Sequence, residues 1–338
     1  MKVVITGGTG FIGFRLARRL LERGQLTGPS GAPEAIDEMV LFDTAPAPAD
    51  LSTAGVRVRV VTGDMADRAT VAGLVDRDDI SVFHLASVVS GGGEKDFDLA
   101  MGVNLYGGLH LFEALRARGG APRLVFASSI AVFGGGAMAP VVDDFAKQTP
   151  QTTYGMTKAV GELMVNDYTR KGFLDGRAAR LPTVIIRPGK PNAAASSFAS
   201  AVFREPLMGR DYAAPVTPET AMAVLGARAA VDGLIHLHEV DGGDLGEDRA
   251  VQFPSLTLNV QEMVYALYRV AGDRPLGQVS FEPDPFVVDI CSTWPRDARG
   301  TRAEALGFPQ DADIDAIVGQ FIEDYVDAPA AAPTGEGT

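Results

Sequence analysis

The feature that most constrains this chain is a series of short, nearly continuous apolar runs separated by segments of helical periodicity. Val3-Val4-Ile5, Met39 to Phe42, Val82-Phe83-His84-Leu85, Leu124-Val125-Phe126-Ala127 and Thr183-Val184-Ile185-Ile186 read as strands, and Val56 to Val61 adds another. Between them Ile12, Leu16 and Leu20 recur at helical spacing. Further helices are expected around Ala69 to Val75, from about Leu99 to Arg118, and from Tyr154 to Lys171. Strands without polar alternation are buried on both faces, as in parallel sheets covered by helices. Alternating them with helices predicts a doubly wound parallel α/β sheet of the Rossmann kind.

Beyond Gly189 the rhythm loosens into short apolar pieces punctuated by proline and glycine, with a helix near Gln261 to Val270. The expected division is therefore a first domain over residues 1–189 and a smaller C-terminal lobe over residues 190–326. The helix from about Ala227 to His238 can still belong to the first domain, so the boundary is not one clean cut. Gln25 to Asp37 reads as a surface loop and Asp327 to Thr338 as a frayed tail.

Charge narrows the partners. With 30 basic and 43 acidic residues the net charge is −13, which repels nucleic acid and anionic lipid surfaces. No apolar run is long enough to span a bilayer, and the first thirty residues lack a signal-peptide pattern. A cytosolic protein that binds a small molecule is the expectation. The lone Cys291 has no internal disulfide partner and reads as structural. His236 and His238, one residue apart in a helical run, point to different faces and make no metal pair; His84 reads as a core histidine, and no metal site is expected.

The first strand runs straight into Gly7-Gly8-Thr9-Gly10 and then into a helix, where backbone amides can hold a pyrophosphate. Two glycine registers fit, Gly7/Gly10/Gly13 and Gly8/Gly10/Gly13, with Phe11 and Ile12 inside either. Asp43 ends the second strand, where a carboxylate accepts ribose hydroxyls and repels a 2′-phosphate, favouring NAD over NADP; the plainer reading is a turn cap. Asp64 and Met65 can flank an adenine or simply close a loop.

Tyr154 and Lys158 stand four residues apart on one helical face. Free tyrosine titrates near 10 and is a poor base at neutral pH, so a buried ammonium beside it would favour the phenolate. Ser128-Ser129 ends the preceding strand and supplies a hydroxyl partner, Ser129 in the preferred register and Ser128 one residue away.

In order along the chain, TGGTGFIG, the strand-end Asp43, HLAS at 84–87, SSIAVFG at 128–134, YGMTK at 154–158 and IRPG at 186–189 resemble the extended short-chain dehydrogenase/reductase superfamily. The resemblance covers the first 190 residues and implies NAD as cofactor, with Ser129, Tyr154 and Lys158 catalytic. It also implies cofactor contacts from Leu85, Ala86, Ser87 and Pro188, and a bracing role for Asn104 in VNLYGG. Phe133 stands where many sugar epimerases of the superfamily carry tyrosine. The following KPNAAASSFASAVFREPLMG resembles dehydrogenases of four-carbon sugar acids more than nucleotide-sugar epimerases. That implies hydride transfer from carbon 2 of a small sugar acid to NAD, with substrate near Ser129, Tyr154, Asn192 and Ser197 and its carboxylate met by Arg204 or Lys190. The alternatives are a nucleotide-sugar epimerase or dehydratase that retains its NAD, and a non-catalytic dinucleotide sensor. Family members also pair through two long helices, so a homodimer built on Leu105, Leu109, Phe112, Leu163 and Met164 is expected, with some of that surface covering the sheet.

Overall fold

The computed structural model describes residues 1–139, 141–189 and 194–327. Seven strands form one sheet in the order Ala250–Gln252, Asp175–Leu181, Arg123–Ser129, Ile80–His84, Lys2–Thr6, Glu38–Asp43, Arg57–Thr62, and every neighbouring pair is parallel. The first strand shows why alternation is missing from the sequence. Val3 and Ile5 pack with Leu16 and Leu20 of the helix Phe11–Arg23, and with Leu234 of the helix Ala227–Glu239. Val4 faces the opposite way, onto Leu111 and Phe112 of the helix Gly107–Arg118. Both faces are thus sealed by helices, as a parallel sheet requires.

Strand order reverses between Lys2–Thr6 and Ile80–His84, which opens a crevice at their carboxyl ends. Every loop that carries a candidate cofactor residue from the first two thirds of this sheet leaves on that side. The helix Thr153–Arg170, capped by Thr152 on the Gly155 amide at 3.0 Å, runs back across the same end. Among the described residues no helix is long and apolar enough to cross a membrane.

A second, three-stranded sheet pairs Thr183–Ile185 with Ala221–Gly226 in parallel and the latter with Leu256–Asn259 antiparallel. The helices Phe198–Leu207, Val260–Ala271 and Ile314–Phe321 pack onto it around Phe198, Phe203, Met263, Leu267 and Phe321. The run Thr183 to Ile186 is therefore a strand of this sheet and not of the main one. In its place the main sheet takes Asp175–Leu181, whose Arg177 and Arg180 hide it from an apolar search, and Ala250–Gln252, which returns from far along the chain. Gln25 to Asp37 also differs from a plain loop, since Gln25–Thr27 and Pro33–Ala35 pair as a small antiparallel ribbon. The long helix begins at Phe97 and widens to a π-helical stretch over Met101–Tyr106 before continuing to Arg118.

Arg180 is tolerated inside the sheet because Glu162 of the helix Thr153–Arg170 meets it. Its Nε donates to both carboxylate oxygens at 3.0 Å and its Nη2 to Oε2 at 2.8 Å, with both side chains at most 5 % exposed. Ser128 and Gln148 donate to the same carboxylate, and Arg180 Nη1 donates to the Asp144 carbonyl at 2.9 Å. Such a pair gains little over an apolar substitute but is costly to break one-sidedly. Glu162→Leu or Arg180→Leu alone should lower unfolding free energy by about 3–5 kcal/mol, and the double substitution should recover much of that loss. Urea denaturation of the three variants measures it; additive losses would contradict the pairing.

Candidate active site

Gly7 follows the first strand with φ +69°, a conformation that favours glycine, and a Cβ there would lie 2.8 Å from the Ala86 nitrogen. Gly13 packs against the Gly7 carbonyl so closely that a side chain would collide. Gly10 sits at the N-terminus of the helix Phe11–Arg23, which has no side-chain cap and no acidic residue in its first turn. Its first amides are thus free for an anion. The register Gly7, Gly10, Gly13 gives the turn, the helix start and the close packing; Gly8 instead presses on the second strand at Leu41. This cradle fits a dinucleotide pyrophosphate.

Asp43 ends its strand beside the cradle. Its carboxylate accepts the Thr9 amide at 3.2 Å and the Thr44 amide at 2.8 Å, so the turn-capping role is real and also fixes the group next to Gly10. Leu85, Ala86 and Ser87 leave the fourth strand across the crevice, held by the Leu85 amide on the Thr6 carbonyl at 3.0 Å and the Ala86 amide on Thr6 Oγ1 at 3.2 Å. Asn104 braces this loop, accepting the Val88 amide at 2.7 Å and donating to its carbonyl at 3.0 Å.

A cavity of about 290 Å³ starts at Ile12, Leu85 and Ser87, passes Ser129, Tyr154 and Lys158, and reaches Thr183, Ser196 and Trp294 of the C-terminal lobe. Tyr154 and Lys158 share one face of their helix. The Lys158 ammonium lies 5.0 Å from the Phe126 ring centre and 5.5 Å from that of Tyr154, 4 % exposed, and has no carboxylate partner among the described residues. Burial pushes its pKa down to about 7. Burial also raises the Tyr154 phenol above its ordinary range, opposed by a hydrogen bond with Ser129. Both Ser128 and Ser129 border the cavity, but Ser128 is spent on Glu162, whereas Ser129 accepts the Ala131 amide at 3.1 Å and makes the hydrogen bond with Tyr154.

Other sequence expectations move. Met65 is 3 % exposed within the core beside Phe42 and Val71, and Asp64 caps its loop on the Ala66 amide at 2.9 Å, so both have a structural role whether or not they also flank an adenine. Pro188 does not line the cavity; Leu181, Pro182, Thr183 and Val184 do, because the chain leaves the main sheet at Pro182, before the IRPG segment. Phe11 opens the helix but does not line the cavity, unlike Ile12. Arg204 is 2 % exposed inside the lobe, its Nε on Glu205 at 2.7 Å and its Nη1 on the Arg187 carbonyl at 2.9 Å, and lines no part of the cavity. Ser196 lines it where Ser197 was expected, and Asn192 and Lys190 lie outside the described residues. Sequence reasoning missed Gln151, Thr152, Thr183 and Trp294; only the first two had a signal, their place just before Tyr154.

An uncompensated buried ammonium costs stability. Because the folded-state pKa lies below the unfolded one, the unfolded chain holds more protons between about pH 7 and the ordinary lysine range, so stability should climb through that window. The penalty is full below about pH 7. Lys158→Met should therefore stabilise the cofactor-free protein, and by more at pH 6 than at pH 9. Thermal unfolding of both proteins at the two pH values checks this; an equal gain at both would refute the assignment of the shift to Lys158.

The NAD dependent epimerase/dehydratase family matches residues 3–241. A D-erythronate dehydrogenase of Cupriavidus necator is 49% identical over 324 residues, 96% of this chain and 98% of that one. A D-erythronate dehydrogenase of Haemophilus influenzae is 38% identical over 96% of this chain and 99% of its own. The crystal structure of a nucleoside-diphosphate-sugar epimerase from Agrobacterium tumefaciens superposes with a TM-score of 0.88 at 37% identity, over 96% of this chain and 94% of that one. The glycine cradle, the buried lysine under its tyrosine and these full-length similarities agree: the chain is an NAD-dependent oxidoreductase acting on a CH–OH group, and it belongs to the NAD dependent epimerase/dehydratase family.

Proposed function

We propose that the protein oxidises carbon 2 of a small sugar acid of the D-erythronate kind, passing hydride to NAD and leaving the 2-oxo acid and NADH. The carrying observation is the cavity itself, which brings Ser129, Tyr154 and Lys158 together and is otherwise lined, among the described residues, by apolar, hydroxyl and amide groups without a basic cluster for a nucleotide sugar's phosphates. Similarity to two D-erythronate dehydrogenases over nearly their whole length, lobe included, supports the same reading. Residues 1–189 together with the helix Ala227–Glu239 would mainly hold NAD, and the remainder to residue 326 would mainly bind substrate, with Ala250–Gln252 an exception that rejoins the main sheet.

NAD supplies the hydride acceptor. The Gly7–Gly13 turn and the amides of Phe11 and Ile12 would hold its pyrophosphate, Asp43 its adenosine ribose, and Leu85 to Ser87, Lys158 and Thr183 its nicotinamide end. Tyr154 takes the proton of the reacting hydroxyl, whose O–H electron pair becomes the second bond of the new carbonyl. Ser129 orients that oxygen, and the Lys158 ammonium favours the phenolate. Lys158 is the sole charged side chain lining the cavity among the described residues, so a substrate carboxylate would meet hydroxyl and amide donors such as Ser87, Ser90, Gln151 and Thr152.

A second reading, epimerisation of a nucleotide sugar with NAD retained, is favoured by the Agrobacterium structure and uses the same catalytic residues. Mixing the protein with NAD and a panel of four- to six-carbon sugar acids and nucleotide sugars separates them. NADH stoichiometric with a four-carbon acid supports the dehydrogenase; an isomerised nucleotide sugar without net NADH overturns it.

Tyr154→Phe should leave folding and NAD binding intact while kcat falls by about two to four powers of ten. Steady-state rates and thermal unfolding on one preparation test it. Asp43 should make NAD bind far better than NADP, by like-charge repulsion of the 2′-phosphate. Equal affinities by titration would remove that role. For assembly, Phe97, Leu99, Tyr106, Leu109 and Leu163 stand exposed on the two long helices, whereas Phe112 and Met164 pack onto the sheet. A homodimer through this face predicts twice the chain mass in solution, and Leu163→Lys should reduce it to the monomer's; light scattering reads both.

A further inference from the structure

We infer that Trp294 sets the upper size limit of the substrate, acting as the far wall of the cavity opposite the catalytic tyrosine. The inference rests on the sugar-acid reading above. Trp294 is the single tryptophan of the chain. It follows the helix Pro285–Ser292, which buries none of its own residues, yet Thr293, Trp294 and Pro295 all line the cavity that holds Ser129, Tyr154 and Lys158. The indole leans on the apolar core of the lobe, so it has a solid backing.

The wall is registered to the chemistry through backbone. The Gly135 amide donates to the Thr293 carbonyl at 3.1 Å, linking it to the turn that follows Ser129. A Cβ on Gly134 would stand 3.1 Å from the same carbonyl oxygen, so Gly134 lets the two segments lie close. Behind the turn, the Thr293 and Trp294 amides donate to the Ile290 and Cys291 carbonyls at 3.2 and 3.1 Å, and Thr293 Oγ1 donates to the Ile290 carbonyl at 2.8 Å. Beyond it, Asp297–Arg299 pairs in parallel with Val141–Asp143. The indole is held from both sides at a fixed distance from Ser129.

Chemically this wall is broad, flat and apolar, unlike the hydroxyl-lined part of the cavity. A four-carbon acid whose carbon 2 sits at Tyr154 has only two carbons beyond the reacting centre. Each added hydroxymethyl group would extend the chain toward the indole, whose face offers a hydroxyl no hydrogen-bond acceptor or donor in place of water. Size exclusion by a rigid aromatic ring is therefore the selective element, and the catalytic set is indifferent to it.

The test is the ratio of kcat/KM for four-carbon over six-carbon sugar acids in wild type, Trp294→Phe and Trp294→Ala, followed by NADH absorbance. General damage lowers both substrates alike and cancels in the ratio. Trp294→Ala should reduce the ratio by roughly tenfold or more, the scale of a lost steric contact in a specificity pocket, with Trp294→Phe intermediate. An unchanged ratio in either folded variant overturns the inference while leaving the function standing. Should Trp294→Ala not fold, Trp294→Phe and the emission of the lone indole in the wild type decide: substrate added to the NADH complex should alter that emission, and no change overturns the placement. A wild type that oxidises none of the acids defeats the function, and the inference falls with it.

Discussion

The buried pair of Glu162 and Arg180 is the constraint on which the rest of the site depends. Glu162 lies one helical turn beyond Lys158 and two beyond Tyr154, so it points to the same side of the helix Thr153–Arg170, deeper toward the sheet. Through it the helix grips the ends of two neighbouring strands: Ser128, the residue before Ser129, and Arg180, the residue before the Leu181 to Thr183 wall of the cavity. A carboxylate taken this far from water must be fully bonded, and here Arg180, Ser128 and Gln148 together satisfy it. That requirement sets the height of the helix relative to both strands, and with it the positions of Ser129, Tyr154 and the wall.

Lys158 is the opposite case. One turn away on the same helix, it is as buried as Glu162 but faces two aromatic rings instead of a carboxylate. Aromatic faces attract an ammonium too weakly to offset its desolvation, which is why its pKa falls to about 7. The fold accepts a penalty here that it avoids four residues later. An unbalanced charge beside a phenol is useful to proton transfer, since nothing else neutralises the field that favours the phenolate; a carboxylate partner would cancel it.

The sequence made the parallel sheet, the glycine turn and the Tyr154–Lys158 pair legible because each depends on local spacing. Gly7 and Tyr154 announce themselves by what stands within a turn of them. Asp175–Leu181 escapes an apolar search because its arginines are polar in the sequence but paired in space, Arg180 with Glu162 and Arg177 with Asp175, Arg177 also donating to the carbonyls of Leu237 and Val240 at 3.1 Å. With that strand hidden, Thr183 to Ile186 reads as the next strand of the main sheet, whereas it pairs in the smaller one. Arg204 misled in the other direction, since an arginine near a substrate segment looks free until its partner Glu205, the very next residue, is seen to hold it. Trp294 had no local signal at all, because its wall exists only where a distant turn meets Gly135.

Pro182 explains why the two parts of the molecule act as one site. It stands between Leu181, the last residue of a main-sheet strand, and Thr183, the first of a strand in the smaller sheet. With no amide hydrogen, proline cannot extend the ladder it follows, so one continuous chain ends its pairing with Arg123–Ser129 and begins another with Ala221–Gly226. The cavity wall beside Ser129 is this junction, and it belongs to both sheets. Later the chain crosses back, as Ala250–Gln252 pairs with Asp175–Leu181 and the Gln252 amide donates to Asp144 at 2.9 Å, next to the carbonyl that Arg180 holds. The smaller lobe is therefore tied to the main sheet at two separate places, at Pro182 and at Ala250–Gln252. The distance from Tyr154 to the Trp294 segment is then a property of the folded backbone, in a cavity whose one charged lining side chain among the described residues is Lys158.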